Sequence, residues 1–281
     1  MAYSIDTTKY INKMKDACKR NGVIINLTNP RTIQDKLAWL NIYETNPLKV
    51  QCADKVLVHD YVKEVLGEDI CIPILRVYDN TKQINWDELP NRFVLKCNHG
   101  SGMNMIVRDK SNLDKGVAIS KLNKWMADDF SMRNGFEAHY HDIQRKAFAE
   151  QYMNDGHKDL IDYKFLCFNG EPVYVQVIGG RNEKSRHLNY YDMNFNFADI
   201  SRIDFPNNKN IHDEMPKNFQ VMKEYAKKLA CNFSFVRVDF YEIDGRVYLG
   251  ELTFTPGAFF FKYVNPADNL KMGNLLTLPL K

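Results

Sequence analysis

The segment Val236–Gly257 constrains the fold of this chain more than any other. It reads VRVDFYEIDGRVYLGELTFTPG, in which two alternating runs flank the dipeptide Asp244-Gly245. An Asp-Gly pair between alternating apolar and polar residues is a strong signal for a β-hairpin. Because side chains alternate between the two faces of a strand, such a hairpin sorts its residues into a core face and a polar face.

The length of the hairpin loop decides which side chains share a face. A two-residue loop would pair Asp239 with Gly250 and leave Glu251 on the opposite face. With a three-residue loop, Ile243–Gly245 with Gly245 left-handed in a G1 bulge, the numbers of paired residues differ by an even amount. We predict the three-residue loop, which collects four polar side chains on one face: Arg237, Asp239, Glu251 and Thr253. The core face then carries Val236, Val238, Phe240, Tyr248, Leu252 and Phe254.

The polar face of the hairpin has two interpretations. In the predicted register Asp239 and Glu251 stand diagonally, roughly 7–8 Å apart at the backbone. Two carboxylates at that separation can hold a hard cation such as Mg²⁺ and leave coordination sites open for phosphate. In the same register Arg237 lies opposite Glu251, and an Arg–Glu cross-strand pair is an ordinary surface feature. The hairpin by itself leaves both interpretations open.

Size and composition limit the class of protein. The chain has 281 residues, a net charge of +3 and 44% hydrophobic residues, which predicts a globular protein of two or three interlocked subdomains. The small net charge argues against a nucleic-acid partner. No apolar run approaches the roughly 18 residues that cross a bilayer, and no secretory signal is visible. The six cysteines form no CxxC pair, so we expect reduced thiols and a cytoplasmic location without an integral membrane segment.

Local patterns predict helices interspersed with hairpin strands. Helices are predicted after a Thr32 cap through Tyr43, over Ala53–Leu66 with a stop at Gly67, over Ile119–Phe130 and near Pro216–Leu229. Strands are predicted at Ile72–Val77, Phe93–Lys96, Met105–Val107, Ala147–Tyr152, Tyr163–Phe168 and Val173–Ile178, the last two joined by Asn169-Gly170. This mixture indicates an α+β fold rather than a doubly wound parallel sheet.

The stretch Phe93–Met105, FVLKCNHGSGMNM, places a glycine loop directly after an apolar strand. Gly100 and Gly102 let backbone N–H groups point at a ligand, and Ser101 adds a hydroxyl, so the loop can fold over phosphates. A GSG sequence between strands is also common in plain hairpin loops. Lys96 favours the phosphate interpretation, because a lysine at the end of an apolar strand is costly to bury without an anion.

Two further stretches end or begin strands with polar residues. The sequence AEQYM at 149–153 ends an apolar strand with Glu150 and offers backbone groups that suit the edge of an adenine. An exposed strand end is the more common explanation for such a pattern. Asp162-Tyr163-Lys164 begins the next strand and brings a second lysine that can point inward.

Taken in order, these stretches resemble a known superfamily. They resemble the motifs of ATP-grasp proteins, and within that superfamily those of the teichuronopeptide-biosynthesis-like (TupA-like) branch of bacterial surface-polysaccharide loci. The matching stretches are DK at 54–55, FVLK before the GSG loop, AEQYM, DYKF, VRVDF and GELTFTPG. The resemblance runs from about residue 30 to 278. It implies a nucleotide held between two α+β subdomains, a lid subdomain with the glycine loop (76–153) and a C-terminal subdomain with the metal hairpin (154–281). A helical N-terminal region (1–75) precedes them.

The resemblance also implies roles for residues at matching positions. Phosphate contacts are expected from Lys55 on an early helix, Lys96 and Lys164, and the lid from Gly100, Ser101 and Gly102. The adenine segment would be Glu150, Gln151, Tyr152 and Met153, and the ribose would contact Asp155 or His157. The metal ligands would be Asp239, Glu251 and Thr253, and the catalytic residues Lys96 and Arg237, the latter beside the acyl-phosphate or oxyanion. Many ATP-grasp ligases carry asparagine where Thr253 stands, and a threonine hydroxyl is a shorter and weaker ligand, so the second metal ion is in doubt.

The implied function is ATP- and Mg²⁺-dependent joining of a carboxylate to an amine through an acyl-phosphate. A carboxylate attacking the γ-phosphate must overcome repulsion between anions, so protein cations and Mg²⁺ must neutralise the triphosphate, and a lid must exclude water. The resemblance places this reaction in the decoration of a bacterial cell-surface polysaccharide or its precursor, for example the joining of an amino acid to a uronic acid. Two alternatives stay open: ATP-dependent phosphotransfer to a sugar, and a nucleotide-binding scaffold without turnover.

One further constellation needs an interpretation. His139, His141 and Asp142 have a His-x-His spacing that occurs in metal sites. No cysteine or glutamate pattern completes such a site, so a polar helix start is the favoured interpretation. The chain also lacks a DxD sequence and a GxSxG elbow, which argues against a DxD glycosyltransferase and an α/β-hydrolase.

Overall fold

Two antiparallel sheets organise the chain. The computed structural model describes residues 3–153, 160–180 and 186–280. The helices in these ranges are α1 (Ile11–Arg20), α2 (Ile33–Tyr43), α3 (Pro47–Ala53), α4 (Val58–Leu66), α5 (Lys115–Ala127), α6 (Phe219–Ala230) and α7 (Pro266–Asn274). The strands are β1 (Ile74–Tyr78), β2 (Phe93–Cys97), β3 (Asn104–Val107), β4 (Ala147–Gln151), β5 (Asp162–Phe168), β6 (Glu171–Gly179), β7 (His187–Asp192), β8 (Phe197–Ala198), β9 (Phe235–Ile243) and β10 (Arg246–Thr253).

The smaller sheet has the strand order β1-β4-β2-β3, and the larger has the order β10-β9-β5-β6-β7-β8. Helix α5 packs on the smaller sheet. Helix α6 covers one face of the larger sheet, while α1, α2 and α7 cover part of its other face. The α+β prediction is therefore confirmed. The subdomain boundaries given above stay predictions, although the smaller sheet lies within residues 74–151 and the larger within 162–253.

Several local predictions hold because short-range hydrogen bonds determine them. Thr32 and Asp35 form a reciprocal capping box at the start of α2, the arrangement expected for an N-cap threonine. Gly67 ends α4 in the left-handed conformation with φ 82°, which glycine adopts without steric cost. Asn169 and Gly170 both have positive φ and turn the chain between β5 and β6, as the sequence indicates.

The predicted helix Ala53–Leu66 is wrong at its start. Helix α3 ends at Ala53, and α4 begins only at Val58. The side chain of Asp54 accepts hydrogen bonds from the N–H groups of Val56 and Leu57, and such local bonds compete with a continuous helix. Lys55 therefore lies in a turn and not on a helix as expected.

The predicted loop of the β9–β10 hairpin is also wrong. Asp244 and Gly245 form a two-residue turn with φ values of 51° and 73°, as a type I′ turn requires. After a bulge between Leu249 and Glu251, the numbers of paired residues differ by an even amount. Asp239 consequently pairs directly with Glu251, and Arg237 pairs with Thr253.

The bulge also changes one residue of the core face. Leu249, not Tyr248, stands beside Phe240 in the register and is buried in the core under α6. The other five predicted residues of the core face, Val236, Val238, Phe240, Leu252 and Phe254, are buried there as expected.

The cysteines are free thiols in the described part of the chain, five buried and Cys231 exposed. Among the described residues, no helix combines the length and the apolar character that crossing a membrane requires.

Candidate active site

A polar cleft separates the smaller sheet from the β5-β9-β10 side of the larger one. It consists of a compartment of about 470 Å³ and one of about 630 Å³, both counted together with the space that is open to solvent. Both compartments are lined by Lys55, Lys96, Gly250 and Glu251, so they are parts of one cleft. The first is additionally lined by Cys52, Ala53, Val58, His59, Cys71, Ile72, Tyr140, Glu150, Leu249 and Leu252. The second is additionally lined by Ser101, Gly102, Met103, Asn104, Asp162, Lys164, Asp239 and Tyr241.

The hairpin face in this cleft is a hydrogen-bonded cluster centred on Arg237. Its Nε and Nη2 donate to the two carboxylate oxygens of Asp239, each at 2.6 Å. Nη2 also lies 2.9 Å from Glu251 Oε1 and 3.1 Å from Thr253 Oγ1. The Arg237 side chain is only 13% exposed, so this is not the surface cross-strand pair that the sequence left open. Planar guanidinium groups suit such bidentate contacts.

Lys164 on β5 extends the cluster toward the neighbouring strand. Its ammonium contacts the carboxylate of Asp239, and it lies 3.2 Å from Asp162 Oδ1. Lys164 pairs with Asp239 in the β5–β9 register, which explains why the two side chains point to the same face. Asp162 and Asp239 are both almost completely buried. A buried carboxylate is tolerated where cations and hydrogen bonds surround it, as they do here.

The smaller sheet contributes the opposite wall. Lys96 on β2 forms an ion pair with Glu150 on β4, which fits the expectation that a lysine at this position needs an anion. Lys55 donates a hydrogen bond to the carbonyl of Gly100 in the glycine loop. A Cβ atom at Gly100 would lie 2.6 Å from the ring of Phe130. Only glycine lets the loop approach this ring so closely.

The charges in the cleft shift several pKa values. Burial alone would raise the pKa of Glu251, but Arg237, Lys164 and Lys55 outweigh it and lower the pKa to about 2. Burial opposes the charge of Arg237, yet Asp239 and Glu251 hold its pKa above the usual range. Burial, with the neighbouring Lys96, lowers the pKa of Lys55, although Glu251 opposes this shift. An anion entering the cleft would favour the protonated form of Lys55.

The hairpin residues fit a hard divalent cation. Asp239 and Glu251 are directly paired across the strands, and both line the cleft. The hydroxyl of Thr253 lies 2.9 Å from Glu251 Oε1, so all three oxygen donors are gathered on one face. Carboxylate and hydroxyl oxygens are ligand types that Mg²⁺ accepts. When bound, such an ion would supply positive charge beside the phosphates.

The structure brings only part of the predicted adenine segment to the cleft. Glu150 lines it, whereas Gln151, Tyr152 and Met153 are not among the lining residues. The N–H of Gln151 donates to the carbonyl of Pro73 at 2.9 Å. This backbone group is therefore already hydrogen-bonded, whereas the sequence led us to expect it to be free for adenine. The assignment of the adenine segment stays a prediction. The two candidates for ribose contact, Asp155 and His157, lie outside the described residues.

The His139–Asp142 segment does not form a metal cluster in the described structure. His139 is buried beside the rings of Tyr140 and Phe254. His141 Nδ1 faces Ser131 Oγ at 3.5 Å, while Asp142 accepts hydrogen bonds from Ser4. The three side chains thus have different partners, in agreement with the favoured non-metal interpretation.

Several residues that line the cleft were not predicted as site residues from the sequence. The sequence pattern marks Asp162 only as the start of a strand, although its spacing of two from Lys164 places both side chains on one face. Tyr140, His59 and Cys71 come from segments distant in sequence, and no local pattern identifies them. Tyr241 stands two positions after Asp239, so the alternation of side chains along a strand places both on the cleft face. The sequence does contain this signal.

Comparisons with known proteins identify similar solved structures and a family. The D-alanine–D-alanine ligase of Bacillus anthracis has 18% identity and a TM-score of 0.44, with 80% of this chain and 64% of that one covered. The L-amino acid ligase of Bacillus licheniformis has 13% identity and a TM-score of 0.49, with 88% of this chain and 55% of that one covered. The chain thus spans less than two thirds of the length of either ligase. Comparison with curated proteins gave no match. The profile of the TupA-like ATPgrasp family matches residues 35–277, most of the sequence, and the chain therefore belongs to the TupA-like ATP-grasp family.

Proposed function

We propose that this protein is an ATP- and Mg²⁺-dependent ligase that joins a carboxylate to an amine through an acyl-phosphate. We further propose that it acts in the cytoplasm and decorates a bacterial cell-surface polysaccharide or its precursor, for example by joining an amino acid to a uronic acid. Membership of the TupA-like ATP-grasp family supports the class of reaction. The substrates rest on family analogy alone.

One observation carries the proposal: cations and carboxylates from both sheets meet in a single cleft. Lys55 and Lys96 enter from one side, and Lys164 stands on the other beside Asp239 and Glu251. Such a set of cations can neutralise a triphosphate, while two paired carboxylates can hold the divalent ion that accompanies it. A surface ion-pair network would not need side chains as buried as those of Lys164 and Asp239, which are 11% and 2% exposed.

Each group then has a role in the reaction. The three lysines orient the phosphates of ATP and reduce their repulsion toward the incoming carboxylate. That carboxylate attacks the γ-phosphorus, ADP leaves, and the acyl-phosphate forms. The amine then attacks the acyl carbon, and inorganic phosphate leaves. Arg237 is positioned to stabilise the oxyanion in this second step, because its guanidinium is fixed by three oxygen-bearing neighbours.

Product analysis tests the proposal. The purified protein is incubated with MgATP, a panel of sugar acids and amino acids, and hydroxylamine as a small general amine. A ligase releases ADP and inorganic phosphate in equal amounts and forms a hydroxamate, and both products require the acid. Phosphotransfer to a sugar would release ADP without inorganic phosphate. A scaffold would bind nucleotide and release neither product.

A matched pair of variants links the products to the cleft. Glu251→Gln removes a proposed metal ligand, whereas Glu171→Gln removes a carboxylate that is 59% exposed and forms an ion pair with Lys227. We expect Glu251→Gln to lose product formation and Glu171→Gln to retain it. Equal activity in the two variants would contradict the assignment of the hairpin to catalysis.

A further inference from the structure

Three potential metal ligands lie together at the wall of the cleft. His59 belongs to the first turn of α4, and Asp69 and Cys71 follow the end of that helix. Each residue offers one ligand atom (a ring nitrogen, a carboxylate oxygen or the thiol sulfur), and these atoms all lie within 4.8 Å of one another. His59 and Cys71 also line the compartment of the cleft that Lys55 and Glu150 line. The ligase chemistry proposed above uses none of the three residues.

Hydrogen bonds to one carboxylate hold the three side chains together. Asp69 Oδ1 accepts a hydrogen bond from the backbone N–H of Cys71 at 2.9 Å, and Asp69 Oδ2 lies 2.8 Å from His59 Nδ1. The thiol of Cys71 is hydrogen-bonded to the same carboxylate. Such a network can simply stabilise the turn after α4. The chemistry of the donors and their place in the fold favour a second role.

The donor set suits zinc and does not suit magnesium. Thiolate, imidazole and carboxylate are the three side-chain groups that bind Zn²⁺ in proteins, whereas Mg²⁺ takes oxygen ligands. A thiolate and a carboxylate together carry two negative charges, which balance a divalent ion beside the neutral imidazole. The occupied site therefore leaves no net charge in the wall of the cleft. Binding of the ion displaces the thiol proton of Cys71 to solvent.

The spacing of the three residues needs only a small adjustment. Metal–ligand distances of about 2.0–2.3 Å place the ligand atoms of a tetrahedral zinc site roughly 3.3–3.6 Å apart. Since no separation in the cluster exceeds 4.8 Å, the ligand atoms have to move by roughly 1 Å. The side chains of His59 and Asp69 are 17% and 39% exposed, so both can rotate without displacing the core. Three protein ligands leave a fourth position, and the compartment has room for the water molecule that completes it.

The same three residues connect α4 to the edge of the metal hairpin. The carbonyl of Ile70 accepts a hydrogen bond from the N–H of Leu249 at 2.8 Å. Cys71 forms an isolated parallel bridge with Leu249, which stands directly before the bulge that precedes Glu251. An ion bound by both His59 and Cys71 therefore joins α4 to the outer strand of the larger sheet.

We propose that His59, Asp69 and Cys71 bind one zinc ion, which ties α4 to β10 and whose fourth ligand, a water molecule, faces the cleft. This ion is distinct from the magnesium ion proposed at the hairpin, because its site includes a thiolate. The inference does not depend on the ligase function, since the ion holds the wall of the cleft whatever reaction takes place there.

Cobalt absorption spectroscopy tests the proposal. The full chain is freed of metal with a chelator and titrated with Co²⁺, a coloured substitute for zinc that gives a thiolate-to-metal charge-transfer band when a cysteine binds it. We expect one equivalent of Co²⁺ to produce this band, Zn²⁺ to remove it, and a large excess of Mg²⁺ to leave it unchanged. Zn²⁺ also raises the Tm of the unmodified protein, because the folded state binds it.

Two cysteine variants form a matched pair. Cys71→Ala loses the charge-transfer band, whereas Cys52→Ala, which removes another buried thiol that lines the same compartment, retains it. His59→Gln and Asp69→Asn weaken zinc binding by about 100-fold or more, since even the outer partners of metal ligands contribute 10- to 100-fold. Glu251→Gln retains the band, which separates this site from the hairpin.

Each result supports or overturns the proposal without reference to product formation. Absence of the band in the unmodified protein overturns it, and a band without any rise in Tm overturns the tie between α4 and β10. A band that persists in Cys71→Ala also overturns it, because the band then belongs to another thiol, such as the exposed Cys231. If Cys71→Ala does not fold, His59→Gln decides the question, and an unchanged zinc affinity in that variant contradicts the site.

Discussion

Two substitutions at the metal hairpin separate a structural role from a catalytic one. Asp239→Asn and Glu251→Gln each remove one negative charge and nearly preserve the side-chain shape. The Asp239 carboxylate is 2% exposed and contacts both Arg237 and Lys164. The Glu251 carboxylate is 34% exposed and receives hydrogen bonds from Arg237 and Thr253. We therefore expect similar losses of turnover but different losses of stability.

The difference in stability follows from burial. Asp239→Asn leaves two buried cations without their main partner, which costs about 3–5 kcal/mol. With an unfolding entropy of about 2.1 cal/mol/K per residue over 281 residues, this corresponds to a decrease in Tm of about 5–8 °C. Glu251→Gln interrupts a partly exposed pair, so its cost is about 1 kcal/mol or less and the Tm changes by about 2 °C or less. We expect removal of either proposed metal ligand to lower turnover on the order of 10³-fold.

Thermal unfolding monitored by circular dichroism gives the two Tm values, and release of ADP gives the turnover. The assay needs no identified amine if hydroxylamine is used. Equal Tm values for Asp239→Asn and the unmodified protein would show that Asp239 does not neutralise the buried cations. Near-normal turnover in pure Glu251→Gln would refute the metal assignment itself.

Four further outcomes are expected. Lys96→Ala weakens ATP binding in calorimetry by at least about tenfold, 1.4 kcal/mol, and an unchanged affinity would leave the glycine loop as a plain hairpin loop. Arg237→Lys retains the charge but loses the planar fork, so turnover falls about 10²–10³-fold while ATP affinity is nearly unchanged; full activity would favour a structural role. ATP binding measured with EDTA is much weaker than with Mg²⁺, and equal affinities would exclude a bound cation. Burial, with Lys49 and Lys55, lowers the pKa of His139 to about 3, whereas the pKa of a histidine in the unfolded chain is about 6.5. The contribution of His139 to stability is therefore complete above pH 6.5, and the free energy of unfolding decreases by about 2 kcal/mol from pH 7 to pH 5. Urea titrations at the two pH values should find this decrease absent in His139→Gln.

Local sequence patterns were sufficient for most strands and for the polar face of the hairpin. The capping box at Thr32, the stop at Gly67 and the turn at Asn169-Gly170 depend on hydrogen bonds and φ values within a few residues. Their signals are therefore complete in a short window of sequence. The same reasoning fails at Asp54, whose side chain bonds locally and divides one predicted helix into two.

The hairpin register shows why the set of polar residues on one face can be predicted correctly from an incorrect loop length. A three-residue loop and a two-residue loop followed by a bulge put the same four polar side chains on one face, although the two pairings differ by two residues. The sequence did contain a signal for the bulge, because Gly250 stands inside a strand, where glycine often marks one. A Cβ atom at Gly250 would lie 2.8 Å from the ring of Tyr241. This close approach is a cross-strand contact, which the sequence alone does not reveal.

The cleft depends on contacts that no sequence window contains. Lys164 meets Asp239 across 75 positions, and Lys96 meets Glu150 across 54. Thr255 beside the metal hairpin donates to buried Glu137, 118 positions away. Pairing of distant strands decides which charges meet, and this pairing is a property of the whole fold. Motif order and family resemblance supplied what local periodicity could not.

The pairing of these charges has a consequence for nucleotide binding. Lys96 is paired with Glu150, and Lys164 and Arg237 are paired with Asp239. Phosphate oxygens that enter the cleft must therefore compete with protein carboxylates for these cations. If Asp239 holds a divalent ion, as proposed above, it would compete less for these cations, and Lys164 would keep its second partner, Asp162. Arg237 would also keep a partner, because it contacts Glu251 as well as Asp239, so neither of these two cations would be left buried alone.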